Sequence, residues 1–198
     1  MPSLDQLLTA LRLRKYGLAR HMKVFSHTTA RERLALFHIA RRVETNARAI
    51  EIGSHVGSSA LFLCAGLRQK HGHLYCVDTW MNDTMPDGQQ DNYGDFIANT
   101  KPFADMITPI RKRSDELASS DIGSEIDLAF LDGDHSEQAV RADFALVSPL
   151  IKRDGAVAFH DVNAYYPGVG IVVGEALASG KWRLGGYVDS LGWIRKIG

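Results

Sequence analysis

Eleven consecutive residues, Ala49-Ile50-Glu51-Ile52-Gly53-Ser54-His55-Val56-Gly57-Ser58-Ser59, constrain the fold of this chain more than any other stretch. An apolar, β-prone run ends in a glycine-bearing turn, and small residues then open a helical pattern. That order reads as strand, tight turn and helix N-terminus. In an open α/β sheet, the crevice at the carboxyl end of such a strand is where nucleotide-like ligands bind. Glycine lets backbone come close to a ligand, and the free N–H groups of the helix start can donate to it. The spacing is E-I-G-x-x-x-G. It differs from the G-x-G-x-x-G of a dinucleotide fold, because His55 stands where the second glycine would be.

The rest of the chain repeats the alternation. Strand patterns fall at 48–52, 73–78, 107–112, 126–131 and 155–160, with helical patterns at 58–70, 93–100 and 136–151. The last of these helices is expected to bury Val140, Phe144, Val147 and Ile151. Strand and helix in alternation imply a parallel sheet with right-handed crossovers. The ending departs from this rhythm: Trp182 to Val188 and Leu191 to Ile197 flank Asp189-Ser190, the spacing of a closing antiparallel hairpin. Before the first strand, Leu4, Leu7, Leu8 and Leu11 give one helix an apolar face. A second helix starts at the capping box Thr29-Ala30-Arg31-Glu32 and carries the stripe Leu36, Phe37, Ala40 and Val43. The expected organisation is a helical extension over 1–45 and one α/β domain over 46–198.

At 198 residues the chain is long enough for one domain with a substantial core. No apolar run is long enough to span a membrane, and Met1 to Gln6 lack the basic-then-apolar order of a signal peptide. The two cysteines, Cys64 and Cys76, lie in apolar runs and read as packing residues, so a reducing cytoplasm is the expected compartment. The net charge of zero hides an asymmetry: ten Lys/Arg against three Asp/Glu in residues 1–48, and thirteen against twenty thereafter. The basic residues alternate with leucines at helical spacing and have no aromatic-rich binding module beside them. They are therefore read as solvated helix faces and not as a nucleic-acid arm. A homo-oligomer through these N-terminal helices fits the same pattern.

The chemistry-bearing residues gather at strand ends. Asp78 closes the second strand, where an acid can accept hydrogen bonds from both hydroxyls of a ribose or act as an ordinary strand-end cap. Ser114-Asp115 follows the third strand, either as a helix cap or beside a ligand. The fourth strand runs into Asp132-Gly133-Asp134-His135, and the fifth delivers His160-Asp161 with Asn163 two residues on. Neighbouring parallel strands bring these two clusters together, and aspartates with an imidazole can hold a divalent cation. The polar insert at 79–104 carries Trp80, Met81, Met85, Tyr93 and Phe96, and reads either as a lid or acceptor wall or as a surface loop with buried anchors.

Four motifs, E-I-G-x-x-x-G, V-D-T-W, F-L-D-G-D-H-S and F-H-D, occur in that order at strand ends over residues 49–161. Together they resemble class I S-adenosylmethionine-dependent methyltransferases. Within these, the similarity is to the small family that includes cephalosporin-biosynthesis and macrolide-sugar O-methyltransferases, and more distantly to catechol O-methyltransferases. The resemblance implies a Rossmann-like, seven-stranded sheet with its last strand antiparallel and helices on both faces. It implies methyl transfer from S-adenosyl-L-methionine to a hydroxyl of a small molecule, such as a sugar, a natural product or a catechol-like phenol. It also implies a divalent metal, Mg2+ in several members. Carried over by motif, Glu51, Gly53 and Gly57, with Ser54 and Ser58, surround the methionine part of the cofactor. Asp78, with Thr79 and Trp80, holds the ribose, and Ser114 and Asp115 lie at the adenine. Asp132, His160 and Asp161 match the metal-binding positions, Asp132 also bordering the cofactor. His135 matches the catalytic base, with His160 as its rival. One departure matters: metal-dependent relatives more often carry Asp-Asn or Glu-Asp where this chain has His160-Asp161. That leaves open a softer metal, a histidine base or a metal-free enzyme. Two other readings remain at this stage. One is a catalytically silent module that binds S-adenosylmethionine or nucleic acid. The other is a nucleotide-dependent oxidoreductase, against which the glycine spacing argues.

Overall fold

A computed structural model describes residues 3–82 and 88–197. Met85, one of the residues singled out in the insert at 79–104, lies outside them. The described elements are α1 (Leu4–Lys15), α2 (Ala30–Arg41), β1 (Arg48–Ile52), α3 (Ser58–Leu67), β2 (His73–Asp78), α4 (Tyr93–Thr100) and β3 (Ile107–Arg111). They continue with α5 (Ser119–Ile122), β4 (Ile126–Leu131), α6 (Glu137–Val147), β5 (Ile151–Phe159), α7 (Pro167–Ala178), β6 (Trp182–Val188) and β7 (Leu191–Lys196).

The strands form one seven-stranded sheet in the order β3-β2-β1-β4-β5-β7-β6. Neighbouring strands from β3 to β5 pair in parallel, and β7 runs antiparallel between β5 and β6. This is the expected Rossmann-like methyltransferase sheet with the antiparallel last strand. The chain winds outward from β1 to β3 and then returns to β4, so the order reverses between β1 and β4. That reversal opens a crevice at the strands' carboxyl ends. β1 and β4 are buried along almost their whole length and are mostly apolar, with Glu51 and Asp127 as their buried acids.

Each face of the sheet carries its own core. On one, Leu36, Phe37 and Ala40 of α2 pack with Leu61, Phe62 and Leu67 of α3, together with Leu13 and Leu18. On the other, Val140 and Val147 of α6 and Val169, Val172 and Val173 of α7 cover Ile50, Ile52, Leu131 and Val157. Cys64 and Cys76 are fully buried packing residues. The N-terminal segment thus contributes to the same core as the sheet. Among the described residues no helix is long and apolar enough to cross a membrane.

Three sequence expectations differ from the structure. The leucine face of α1 points outward: Leu4 is 74 % exposed and Leu11 60 %, while Thr9 and Leu13 are the buried residues of that helix. The helical period located the stripe correctly, but α1 docks by a neighbouring face. Ile151, expected at the end of a helix, instead starts β5, and α6 stops at Val147. The helix α7 had no sequence signal of its own. Pro167 sits at its first turn, Gly168, Gly170 and Gly174 lower its helix propensity, and its remaining positions are almost uniformly apolar, so no amphipathic period shows.

Candidate active site

A cleft of about 1160 Å³ opens over the carboxyl ends of β1, β2, β4 and β5. Its wall at the β1 turn is built mainly of backbone. Gly53 and Gly57 both have left-handed φ, +88° and +87°. Close approach here is between parts of the protein. A Cβ on Gly53 would lie 2.1 Å from the Asp132 carbonyl oxygen, and one on Gly57 would lie 2.6 Å from Thr100 Cγ2. These glycines let the β4 turn and α4 close onto the β1 turn, which is a different service from the ligand approach expected for them. His55 and Trp80 also have left-handed φ, 43° and 54°, and the Asp78 carboxylate ties the two together. It accepts from the His55 N–H at 2.8 Å and from the Trp80 N–H at 2.7 Å. The Trp80 indole donates back to the His55 carbonyl at 2.8 Å. Thr79 and Asp78 both face the cleft, and each Asp78 oxygen keeps a second lone pair for a ligand.

Beneath this turn Glu51 is fully buried. Burial pushes its carboxyl up to about 7, only partly offset by the hydroxyls of Ser59 and Ser54. Glu51 Oε1 and Ser54 Oγ have no hydrogen-bond partner of good geometry. A buried acceptor left open below a cleft fits a ligand that brings donors, such as an ammonium group. Ser58 is committed elsewhere, accepting from Arg33 Nη1 at 3.1 Å. At the β3 end Ser114 lines the cleft. Asp115 is held by Arg113 through two 2.9 Å bonds in an exposed fork.

The β4–β5 end is built of charged side chains. His160 is 5 % exposed, and carboxylates engage both of its ring nitrogens. Nδ1 lies 3.0 Å from Asp132 Oδ1 and 3.4 Å from Asp161 Oδ2, and Nε2 lies 3.4 Å from Glu32 Oε2. Burial by itself would lower the His160 pKa. Hydrogen bonds to Asp132, Asp161 and Glu32 outweigh it and push it up to about 12. Both ring nitrogens of His160, expected from the motif as a ligand or a base, are engaged by carboxylates in this arrangement. Glu32 is 1 % exposed. Its burial is outweighed by bonds from His160, Thr29 and Ser190, which hold its carboxyl at about 2. One oxygen takes the Thr29 N–H at 2.7 Å as the capping box requires, and the other takes the Ser190 N–H at 2.8 Å and hydroxyl at 2.7 Å. Local sequence showed only the cap; the contact with His160 spans 128 residues.

His135 stands on the turn after β4, 3.2 Å through Nε2 from Asp161 Oδ2. The Tyr166 ring lies against it, centroids 4.7 Å apart. Asn163 accepts from the Tyr165 and Tyr166 N–H groups at 2.8 and 3.1 Å and donates to Asp161 at 3.2 Å, fixing that turn to the acid. Asp132, His135 and Asp161 each offer a ligand atom, all within 4.8 Å of one another. Two carboxylates and one imidazole suit a divalent cation.

The sequence missed several parts of this cleft. Phe25, His27 and Thr28 line it beside the β1 turn, with the Phe25 and His27 rings 6.2 and 6.1 Å from that of His55 and edge to face with each other at 4.9 Å. Asp143 of α6 faces its floor. None of these carries a motif; each is placed by packing of its helix or loop. In the insert, Trp80 is buried against Tyr93 and Phe96, with centroids 5.0 and 4.7 Å away. Trp80 also borders the cleft, while Met81 is exposed.

The comparisons with known proteins agree with this architecture. The Methyltransferase domain family matches residues 50–162. Uncharacterized protein y4gI of Sinorhizobium fredii is 28 % identical over 127 residues, 63 % of this chain and 14 % of its own length. The chain thus spans about one seventh of that relative. Among solved structures, cofactor-bound Rv0187 from MTB has a TM-score of 0.74 at 14 % identity, over 100 % of this chain and 98 % of its own. The O-methyltransferase TomG of Streptomyces achromogenes, involved in tomaymycin synthesis and solved in complex with SAM, has a TM-score of 0.67 at 17 % identity. That match covers 100 % of this chain and 92 % of TomG. At these identities the structural matches speak to the fold. The family match, which takes in the glycine turn, the β4 cluster and His160-Asp161, shows that this chain belongs to the methyltransferase-domain family.

Proposed function

We propose that this chain is an S-adenosylmethionine-dependent O-methyltransferase acting on a hydroxyl of a small molecule. The observation that carries the reading is one cleft with two chemically different ends: the Asp78-clamped turn beside Ser54, and the Asp132–His135–Asp161 cluster. TomG, named an O-methyltransferase and bound to SAM, supports the cofactor and the reaction type.

Asp78 would hold the ribose hydroxyls with its remaining lone pairs, and Ser54, which lines the cleft, would receive the cofactor's amino group with the buried Glu51 behind it. A sulfonium methyl is already electrophilic, so the protein's task is to align an oxygen nucleophile. Alignment alone is worth up to ~7–11 kcal/mol in favourable cases. Asp161 Oδ2 orients His135 by holding Nε2–H, which leaves Nδ1 to take the acceptor's proton. Asp132 and Asp161 would hold a divalent cation, with water completing its shell. Bound there, the cation would supply Lewis-acid lowering of the acceptor hydroxyl's pKa. His160 Nδ1, 3.0 Å from Asp132 Oδ1 and 3.4 Å from Asp161 Oδ2, would keep both aspartates in place. Tyr166 walls the side on which the acceptor arrives.

The test is methyl transfer from labelled S-adenosylmethionine to a panel of hydroxyl acceptors, run before and after dialysis against EDTA. Label transfer that chelation abolishes without unfolding the protein, and that divalent metal restores, supports the reading. Full transfer in excess chelator would remove the cation. Transfer to no hydroxyl in the panel, with transfer to an amine or thiol instead, would overturn the O-methyl assignment.

A further inference from the structure

The helix α1 is the least embedded element of the fold. Of its 12 residues, Thr9 and Leu13 are buried, and it packs against α2. Its leucine stripe is turned to solvent: Leu4, Leu7, Leu8 and Leu11 are 74, 49, 41 and 60 % exposed. Exposed Asp5, Arg12 and Arg14 flank the stripe. A single exposed leucine needs no explanation, but a contiguous apolar strip rimmed by polar residues marks an interaction surface. The strip is also no part of the methyltransferase domain as matched, because α1 lies outside residues 50–162.

The spacing says what fits it. Positions 4, 7, 8 and 11 read the same in both directions about a point between Leu7 and Leu8. Two copies of α1 packed antiparallel about a two-fold axis at that point meet in register. Leu4 then lies on the partner's Leu11, and Leu7 on the partner's Leu8. The charges fit the same arrangement. Asp5 and Arg12 are seven residues apart, close to two full turns, so they share one flank of the stripe. An antiparallel two-fold pairing keeps like flanks together and sets each Asp5 across from the partner's Arg12. Among the described residues Arg12 has no carboxylate partner, and Asp5 has Arg31 at 3.4 Å in an exposed pair. The acidic first turn of each helix thus meets the basic last turn of the other. A helix that lies on a lipid surface carries its basic residues along the polar face. In α1 they are confined to the last turn, Arg12, Arg14 and Lys15.

We propose that α1 is a self-association surface, through which two copies of this chain pair antiparallel about a two-fold axis between Leu7 and Leu8. The pairing is independent of what the cleft binds.

Sedimentation velocity of the full chain over a range of concentrations tests it, with circular dichroism as the control for folding. Wild type is expected to reach the mass of a dimer. Leu7→Glu, at an exposed position, should weaken association by about tenfold or more, because each dimer then buries two charges among leucines. Arg12→Glu should weaken it by less. Cysteine trapping with oxidised glutathione reads the geometry, since Cys64 and Cys76 are buried. Leu7→Cys lies beside its symmetry mate and should form a disulfide between copies. Leu4→Cys lies about 10 Å along the axis from its mate, too far to bridge. A wild type that stays monomeric at every concentration would overturn the proposal, including one that instead sediments with phosphatidylserine vesicles. A dimer that a folded Leu7→Glu leaves unchanged would overturn it too. Disulfide formation by Leu4→Cys as readily as by Leu7→Cys would overturn the antiparallel arrangement.

Discussion

The two ends of the cleft are built in opposite ways. At the β1 turn, geometry is held by backbone: left-handed Gly53, His55, Gly57 and Trp80, and an Asp78 carboxylate bonded to two peptide N–H groups. At the β4–β5 end, geometry is held by charge: one buried imidazolium among Asp132, Asp161 and Glu32. A backbone site tolerates loss of a side chain better than a charge cluster does, because its bonds do not leave an ion unpaired. The difference also separates tasks. On the proposed reading the first end binds the cofactor and the second moves a proton.

The sharpest way to break this comparison is at His135. His135→Ala is expected to lower kcat by roughly 10²–10⁴-fold, the range for a lost general base. It should leave S-adenosylhomocysteine affinity within about twofold, since His135 lies outside the β1 turn. Added imidazole should partly restore turnover, and bound metal measured by atomic absorption should persist. Loss of the metal along with activity would instead make His135 a ligand, consistent with its place near Asp132 and Asp161.

Glu32 sharpens the comparison from the stability side. Glu32→Gln removes one of the acids around a cation that is itself 5 % exposed. Breaking a buried pair this way typically costs about 3–5 kcal/mol. His160 keeps two acids here, so about 2–4 kcal/mol is expected in urea unfolding. A loss under about 0.5 kcal/mol, the usual size for a surface substitution, would mean that the cluster does not hold the fold together at this end.

Glu51 gives a smaller effect with a definite sign. Its carboxyl is raised from 4.5 to about 7 in the fold, so between these values the folded state binds more protons than the unfolded chain. The stabilising contribution of the protonated form is complete below the unfolded value and is lost as pH rises through about 7. Glu51→Gln should therefore unfold less readily than wild type at pH 8, by about 1–3 kcal/mol, with the gap closing toward pH 4.5. It should also bind S-adenosylhomocysteine more weakly. A gap between Glu51→Gln and wild type that does not change with pH would contradict the buried-acid account.

The backbone end was legible in the sequence and the charged end only in part, for a physical reason. Glycines, a strand-terminal acid and a small-residue helix start act locally, so Gly53, Gly57 and Asp78 could be placed from spacing alone. The sheet followed from the strand–helix alternation, and β2 and α4 fall on the residues expected. His160 was visible as a residue, but its protonation depends on Glu32, far away in sequence and readable there only as a helix cap. Asp143 and Tyr166 depend on how α6 and the β5–α7 turn pack, and α7 itself had no amphipathic period to reveal it. The leucines of α1 show the converse: the period was read correctly, but it did not say which face would dock.

The central claim is that the β1 turn and Asp78 form a site for an adenosyl cofactor. Calorimetric titration of S-adenosylhomocysteine into wild type and Asp78→Ala tests it most directly, with circular dichroism confirming that both are folded. One ligand per chain should bind to wild type, and Asp78→Ala should bind more weakly by about 1.5–3 kcal/mol as charge-assisted bonds are lost. No binding to wild type, or equal binding to a folded Asp78→Ala, would contradict the account.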